Sequence, residues 1–230
     1  MKKTALVLFD IDGTLLTSGG AGEHALRVGF EEEFGIRDDL SKVEISGRTD
    51  SGIARQMLRF HGLEVTDVNL GRFYGGYLRN LARELPLRQG RLLPGIEAVL
   101  AELIRKPHVA LGLLTGNLRE GARLKLEHYR VAEFFPIGAF ADDHHDRNAL
   151  GPFALERASS LHGVDFDPKC VTVIGDTPHD VSCARAIGAR ALAVATGSFG
   201  VADLERCNPD VLLPDLGDLQ QTLQALPGVI

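Results

Sequence analysis

The chain has 230 residues and a net charge of −6, with 44% hydrophobic content, enough for one large or two small domains around a real core. The acidic balance (pI near 5.7) and the lack of any basic run exclude nucleic acids and anionic membrane surfaces as expected partners. No apolar run is long enough to span a bilayer, and the short N-terminal one is no signal-peptide core, so the cytoplasm is the expected location.

Residues 5–9 form an apolar run with the length and composition of a buried strand, and it gives way at once to Asp10-Ile11-Asp12-Gly13-Thr14. In an open parallel sheet ligands gather beyond the carboxyl ends of the strands, which is where Asp10 and Asp12 stand. Two such acids repel one another, a divalent cation removes the repulsion, and all-oxygen ligands suit Mg²⁺. The small residues 17–22 read as a hinge or linker, since no G-K-[ST] follows to make a phosphate loop. From 23 to 88 the pattern is helical. Leu26, Phe30 and Phe34 make one stripe, Ile53, Ala54, Met57 and Leu58 a second, and Leu70, Phe73, Tyr74, Tyr77, Leu78 and Leu81 a third. Residues 17–90 are therefore expected to be a helical insert, with 1–16 and 91–230 forming the other domain.

Leu93-Pro94-Gly95 punctuate the return, and Ile96, Val99, Leu100 and Leu103 mark an amphipathic helix expected to stop at Lys106-Pro107. Strand-like runs at 109–114, 137–140, 171–174, 189–194 and 211–213 alternate with helical patterns at 119–129, 148–162 and 179–187. That alternation predicts an α/β fold with a parallel sheet covered on both faces. The run ending at Leu114 is followed by Thr115-Gly116-Asn117. Its hydroxyl, with the N–H groups of the turn and of the next helix start, suits phosphate oxygens, or else serves as a helix N-cap. The run ending at Ile174 is followed by Gly175-Asp176, with Asp180 four residues on. A parallel sheet brings Asp176 to the edge that carries Asp10 and Asp12, and three converging carboxylates call for a cation or a catalytic proton. Cys170, Cys183 and Cys207 show no C-x-x-C spacing and are expected to be reduced.

The D-x-D-G-T of Asp10 to Thr14, the hydroxyl of Thr115 after a hydrophobic strand, and the G-D-x-x-x-D of Gly175 to Asp180 resemble the signature motifs of the haloacid dehalogenase-like phosphohydrolase superfamily. The helical insert after the first strand is similar to that of its phosphoglycolate phosphatase and β-phosphoglucomutase branches. The resemblance implies a Rossmann-like core with a helical cap, and a Mg²⁺-dependent phosphatase that hydrolyses a small phosphate ester through an aspartyl-phosphate. It implies Asp10 as nucleophile and Asp12 as the acid that protonates the leaving oxygen and later activates water. It implies Thr115 as a phosphate-holding residue with Gly116 and Asn117 beside it. Mg²⁺ would lie on the Asp10 carboxylate, the Asp12 backbone carbonyl and Asp176, with Asp180 orienting its waters. Asp12 favours phosphoryl chemistry over dehalogenation, which in this superfamily works without the second acid.

One position departs from the pattern. The family's usual lysine before the metal acids is missing from 142–148, which reads Asp-Asp-His-His-Asp-Arg-Asn. Arg147, next to Asn148 as an expected N-cap, is the expected substitute. Lys125 is the weaker candidate, expected in a surface salt bridge. The acid-histidine run is expected to be a solvated loop rather than a transition-metal site. Arg48 is expected to meet the leaving group when the cap closes, with Thr49 capping the helix there. A phosphosugar mutase and a non-catalytic binding protein on the same fold are the alternatives.

Overall fold

The computed structural model describes residues 2–229. The chain opens with β1 (Ala5–Phe9), the two-residue β2 (Leu16–Thr17), three helices α1 (Ala21–Phe34), α2 (Asp50–Phe60) and α3 (Asp67–Glu84), and β3 (Arg91–Leu92). Strands and helices then alternate: α4 (Ile96–Ile104), β4 (Val109–Leu114), α5 (Arg119–His128), β5 (Gly138–Ala139), α6 (Gly151–His162), β6 (Val171–Gly175), α7 (Pro178–Ala186), β7 (Arg190–Val194), α8 (Val201–Glu205), β8 (Val211–Leu213) and α9 (Leu219–Gln224). Six strands form one parallel sheet in the order β5-β4-β1-β6-β7-β8. No helix among the described residues is long and apolar enough to cross a membrane.

β1 is a continuous apolar run because it lies in the middle of the sheet with both faces covered. Ala5, Val7 and Phe9 pack on one side with Val99, Leu100 and Leu103 of α4; Leu6 and Leu8 pack on the other with Ala154 and Ala158 of α6 and Val181 of α7. Each large side chain buried this way contributes roughly 1.5–3 kcal/mol. The register pairs Phe9 with Leu113 on β4 and with Ile174 on β6. Asp10, Thr115 and Asp176 therefore emerge at one sheet edge as a consequence of strand pairing alone.

The helices of the insert meet in a core of Leu26, Phe30, Ile53, Met57, Phe73, Tyr77 and Leu81, which Leu118 and Ala141 join from outside the insert. Its three helical stripes are the buried faces. α1 and α3 cross at Gly29 and Gly76, so closely that a methyl group on Gly29 would lie 2.6 Å from the Gly76 carbonyl carbon. The chain enters and leaves the insert side by side, because β2 and β3 pair antiparallel through Leu16 with Leu92 and Thr17 with Arg91. A two-residue ribbon has no periodicity to read, so no sequence pattern marks it.

Three local expectations differ. The strand expected at 137–140 shortens to two residues on the sheet edge, where Arg157 donates to the open Gly138 carbonyl (2.7 Å) and blunts it. Asn148 is not a helix cap: Asp146, with extended backbone, accepts the Asn148 N–H (3.0 Å) and caps a short 3₁₀ turn, and α6 starts only at Gly151. The helices α8 and α9 span five and six residues, too short for a periodic signal.

Candidate active site

Asp10 ends β1 almost fully buried, tied to β6 by its N–H on the Ile174 carbonyl (2.9 Å). Arg147, itself buried, reaches Asp10 at 3.0 Å, pairs closely with Asp180, and donates to the Gly47 carbonyl of the insert (3.0 Å). The guanidinium thus binds two acids of the sheet edge to the insert, as a planar fork can and an ammonium cannot. Asp180 has its second oxygen on the Thr177 N–H and hydroxyl (3.0 and 2.7 Å), in a capping box that opens α7. Asp176 accepts from the Thr14 hydroxyl (3.0 Å), a contact that sequence reasoning missed although Thr14 belongs to the D-x-D-G-T stretch.

Asp12 turns away from this group. Its half-exposed carboxylate accepts from Lys125 Nζ at 2.6 Å and from Asn117 Nδ2 at 2.8 Å, and Lys125 also donates to Asn117 Oδ1 at 2.6 Å. Lys125 is therefore not a surface residue. It lies on the buried stripe of α5 with Gly121, Ala122 and Leu126, and its side chain is 4% exposed. That spacing was the available signal, a lysine at a core position of a helix. Asn117 Nδ2 also donates to the fully buried Thr115 hydroxyl (3.0 Å), which links Thr115 to Asp12 and Lys125.

Neither Thr115 nor Asn117 caps α5, whose preceding residue is Leu118 without a side-chain cap. The N–H groups at that helix start are also occupied: Leu118 donates to Asp50 (2.8 Å) and Arg119 to Asp142. The acid-histidine run is divided among such local tasks, with Asp143 held by Arg157 (2.6 Å for each of two bonds) and His144 stacked on His145. The metal-compatible acid group lies elsewhere, at Asp10, Asp176 and Asp180.

The start of α2 docks on the sheet edge. Thr49 caps the helix, accepting the Gly52 N–H (3.0 Å), and its hydroxyl donates to the His145 carbonyl; Asp50 N–H donates to the Gly116 carbonyl (2.6 Å) and Ser51 to the Ala141 carbonyl (2.8 Å). Gly116 permits this approach, since a Cβ there would lie 2.2 Å from the Arg48 carbonyl oxygen. The Arg48 guanidinium does not join the acids: it is about half exposed and bonded to Glu44 (Nε at 3.0 Å). Between insert and sheet edge remains a cavity of about 350 Å³ that Asp10, Asp12, Asn117, Lys125, Arg147 and Asp176 line from the sheet side.

Burial pushes Asp10 up to about 6, with Arg147 and a Thr115 hydrogen bond opposing and Asp180 and Asp12 adding to the rise. Burial, then Asp180 and Asp10, push Asp176 up to about 8, with Thr14 and Arg147 opposing. Oxygens of Asp10, Asp176 and Asp180 lie within 4.8 Å of one another. Arg147 is the one cation that contacts this group among the described residues, shared by Asp10 and Asp180, and Asp176 has only the Thr14 hydroxyl, so three acids face a single counter-charge. A hard divalent cation suits that all-oxygen donor set.

A model of the haloacid dehalogenase-like hydrolases matches residues 7–194. Phosphoglycolate phosphatase of Synechococcus elongatus is 29% identical over 226 residues, 96% of this chain and 97% of the relative. Pyrophosphatase PpaX of Bacillus cereus is 23% identical over 222 residues, 93% of each. Among solved structures, a hydrolase from Pseudomonas syringae aligns with a TM-score of 0.73 at 23% identity, over 96% of this chain and 98% of that one. CbbY from Rhodobacter sphaeroides, in complex with phosphate, aligns with a TM-score of 0.75 at 18% identity, over 94% and 96%. At such identities the two structures establish a shared fold.

Proposed function

The chain belongs to the haloacid dehalogenase-like hydrolase family, and on that premise we propose that it is a Mg²⁺-dependent phosphatase of small phosphate monoesters, working through an aspartyl-phosphate on Asp10. The observation that carries the proposal is the division of labour between two acids on one cavity. Asp10 is buried against Arg147, whereas Asp12 is half exposed and held by Lys125 and Asn117. Carboxylates in environments so different take different roles, one as nucleophile and the other as acid and base.

In this reading an Asp10 oxygen attacks phosphorus, the bond from phosphorus to the ester oxygen breaks, and Asp12 gives that oxygen its proton. Asp12 then takes a proton from water as the water attacks the same phosphorus; the bond to Asp10 breaks and inorganic phosphate leaves. Arg147 balances charge on Asp10 and on the phosphoryl oxygens, and Asn117 and Lys125 hold Asp12 in place. Asp10, Asp176 and the Asp12 backbone carbonyl would hold Mg²⁺, which when bound screens the repulsion between carboxylate and phosphate. Asp180 positions Arg147, and residues 17–90 act as a cap over the cavity. We place the activity on small molecules because the cavity is at the small end for ligand sites.

Phosphate release from a panel of phosphorylated metabolites, with Mg²⁺ and with chelator, tests the proposal. Turnover that requires Mg²⁺ and vanishes in Asp10→Asn is the expected result; turnover that survives either change overturns it.

A further inference from the structure

The insert-side half of the cavity is lined by Glu23 and Leu26 of α1, Asp50 and Ile53 of α2, and Tyr77 of α3. Its charged side chains are two acids, Glu23 and Asp50, and one arginine, Arg48. Asp50 is 7% exposed and accepts the Leu118 N–H on Oδ2, with the hydroxyl of Tyr77, 1% exposed, bonded to its carboxylate, which still lines the cavity. The cations that line the cavity are already engaged: Arg48 by Glu44, Lys125 by Asp12 and Asn117, and Arg147 by Asp10 and Asp180.

We propose that this half receives the alcohol part of the substrate and selects phosphate monoesters whose alcohol offers hydroxyl or ammonium donors and carries no second anionic group. The inference rests on the phosphatase reading of the same cavity. A carboxylate or second phosphate on the alcohol would lie against the buried Asp50 and the exposed Glu23, with each cation of the lining already paired to an acid. A hydroxyl or ammonium there donates to the same oxygens, and Leu26 and Ile53 cover the carbon skeleton. The pocket therefore discriminates against phosphoglycolate and pyrophosphate, the compounds in the names of two relatives.

The test uses the full chain with Mg²⁺. Phosphate release is measured from ethanolamine phosphate, glycerol phosphate, phosphoglycolate and pyrophosphate by the wild type and by Glu23→Gln, and calorimetry measures binding of the same compounds to Asp10→Asn. Donor-bearing esters are expected to exceed the other two in kcat/KM by at least about tenfold, and Glu23→Gln, at an exposed position on the cavity wall, to narrow that gap by about threefold, most for ethanolamine phosphate. Equal or better turnover of phosphoglycolate or pyrophosphate, or a gap untouched by Glu23→Gln, overturns the substrate class while leaving the phosphatase standing. Absence of release from every compound overturns the phosphatase reading instead. The order of binding to Asp10→Asn then decides the pocket: tighter binding of the donor-bearing esters supports it, and equal, reversed or absent binding overturns it.

Discussion

Lys125 and Arg147 divide the positive charge of the cavity between two acids. Lys125 holds Asp12 at 2.6 Å, and Arg147 holds Asp10 at 3.0 Å while also pairing with Asp180. The two cations fail differently when removed. Lys125→Met keeps much of the buried stem and frees Asp12, which water already reaches, so the fold should survive while Asp12 loses its orientation. The expected outcome is a fall of about 10²-fold in kcat, the usual worth of a positioned acid or base, with a thermal midpoint within a few degrees of wild type. Arg147→Ala leaves Asp10 and Asp180 buried without their counter-charge, and should cost about 3–5 kcal/mol in denaturant unfolding. The residues that could be read from sequence were those that end a strand, Asp10, Thr115 and Asp176, because a change from apolar to polar marks them. Lys125 was misplaced because its ammonium meets Asp12 over 113 residues of separation, and no local pattern records that pairing.

At the scale of the elements, the site depends on how α2 meets the end of β4. The hydrogen bonds from Thr49, Asp50 and Ser51 to the sheet edge need the backbone at Gly116 to come close to Arg48. Gly116→Val should hold the insert off the edge, lowering kcat/KM by more than about tenfold, since small misplacements of a closing element are costly, while far-ultraviolet circular dichroism stays unchanged. Gly29→Ala acts inside the insert, where a methyl group has no room against Gly76, and should destabilise by about 1–3 kcal/mol in denaturant unfolding. The long helices of the insert and the central strands were legible because burial repeats with their own periods. The ribbon of β2 and β3 and the two short helices late in the chain were not, being two to six residues long and held by pairing or packing rather than by pattern, and the edge strand expected at 137–140 was read two residues too long.

For the whole molecule, the acids of the site set a pH dependence whose sign follows from their direction of shift. Asp10 and Asp176 are raised to about 6 and about 8. Unfolded carboxylates titrate near ~3.9, so from about pH 4 upward the metal-free native state holds more protons than the unfolded chain and loses stability as pH rises through these values. A cation that binds the ionised pair reverses that trend. The thermal midpoint of chelated protein should therefore fall between about pH 5 and about pH 8, and added Mg²⁺ should raise it more at the higher pH. An equal rise at both would mean that the acids do not hold the ion.

Whether Asp10 carries the phosphoryl group is read by rapid acid quench during turnover with Mg²⁺, followed by mass spectrometry of the peptide that contains Asp10. The expected product is a phosphorylated Asp10 peptide that hydroxylamine discharges and that Asp10→Asn does not form. Steady turnover by Asp10→Asn, or a phosphoryl group found on another residue, would contradict it.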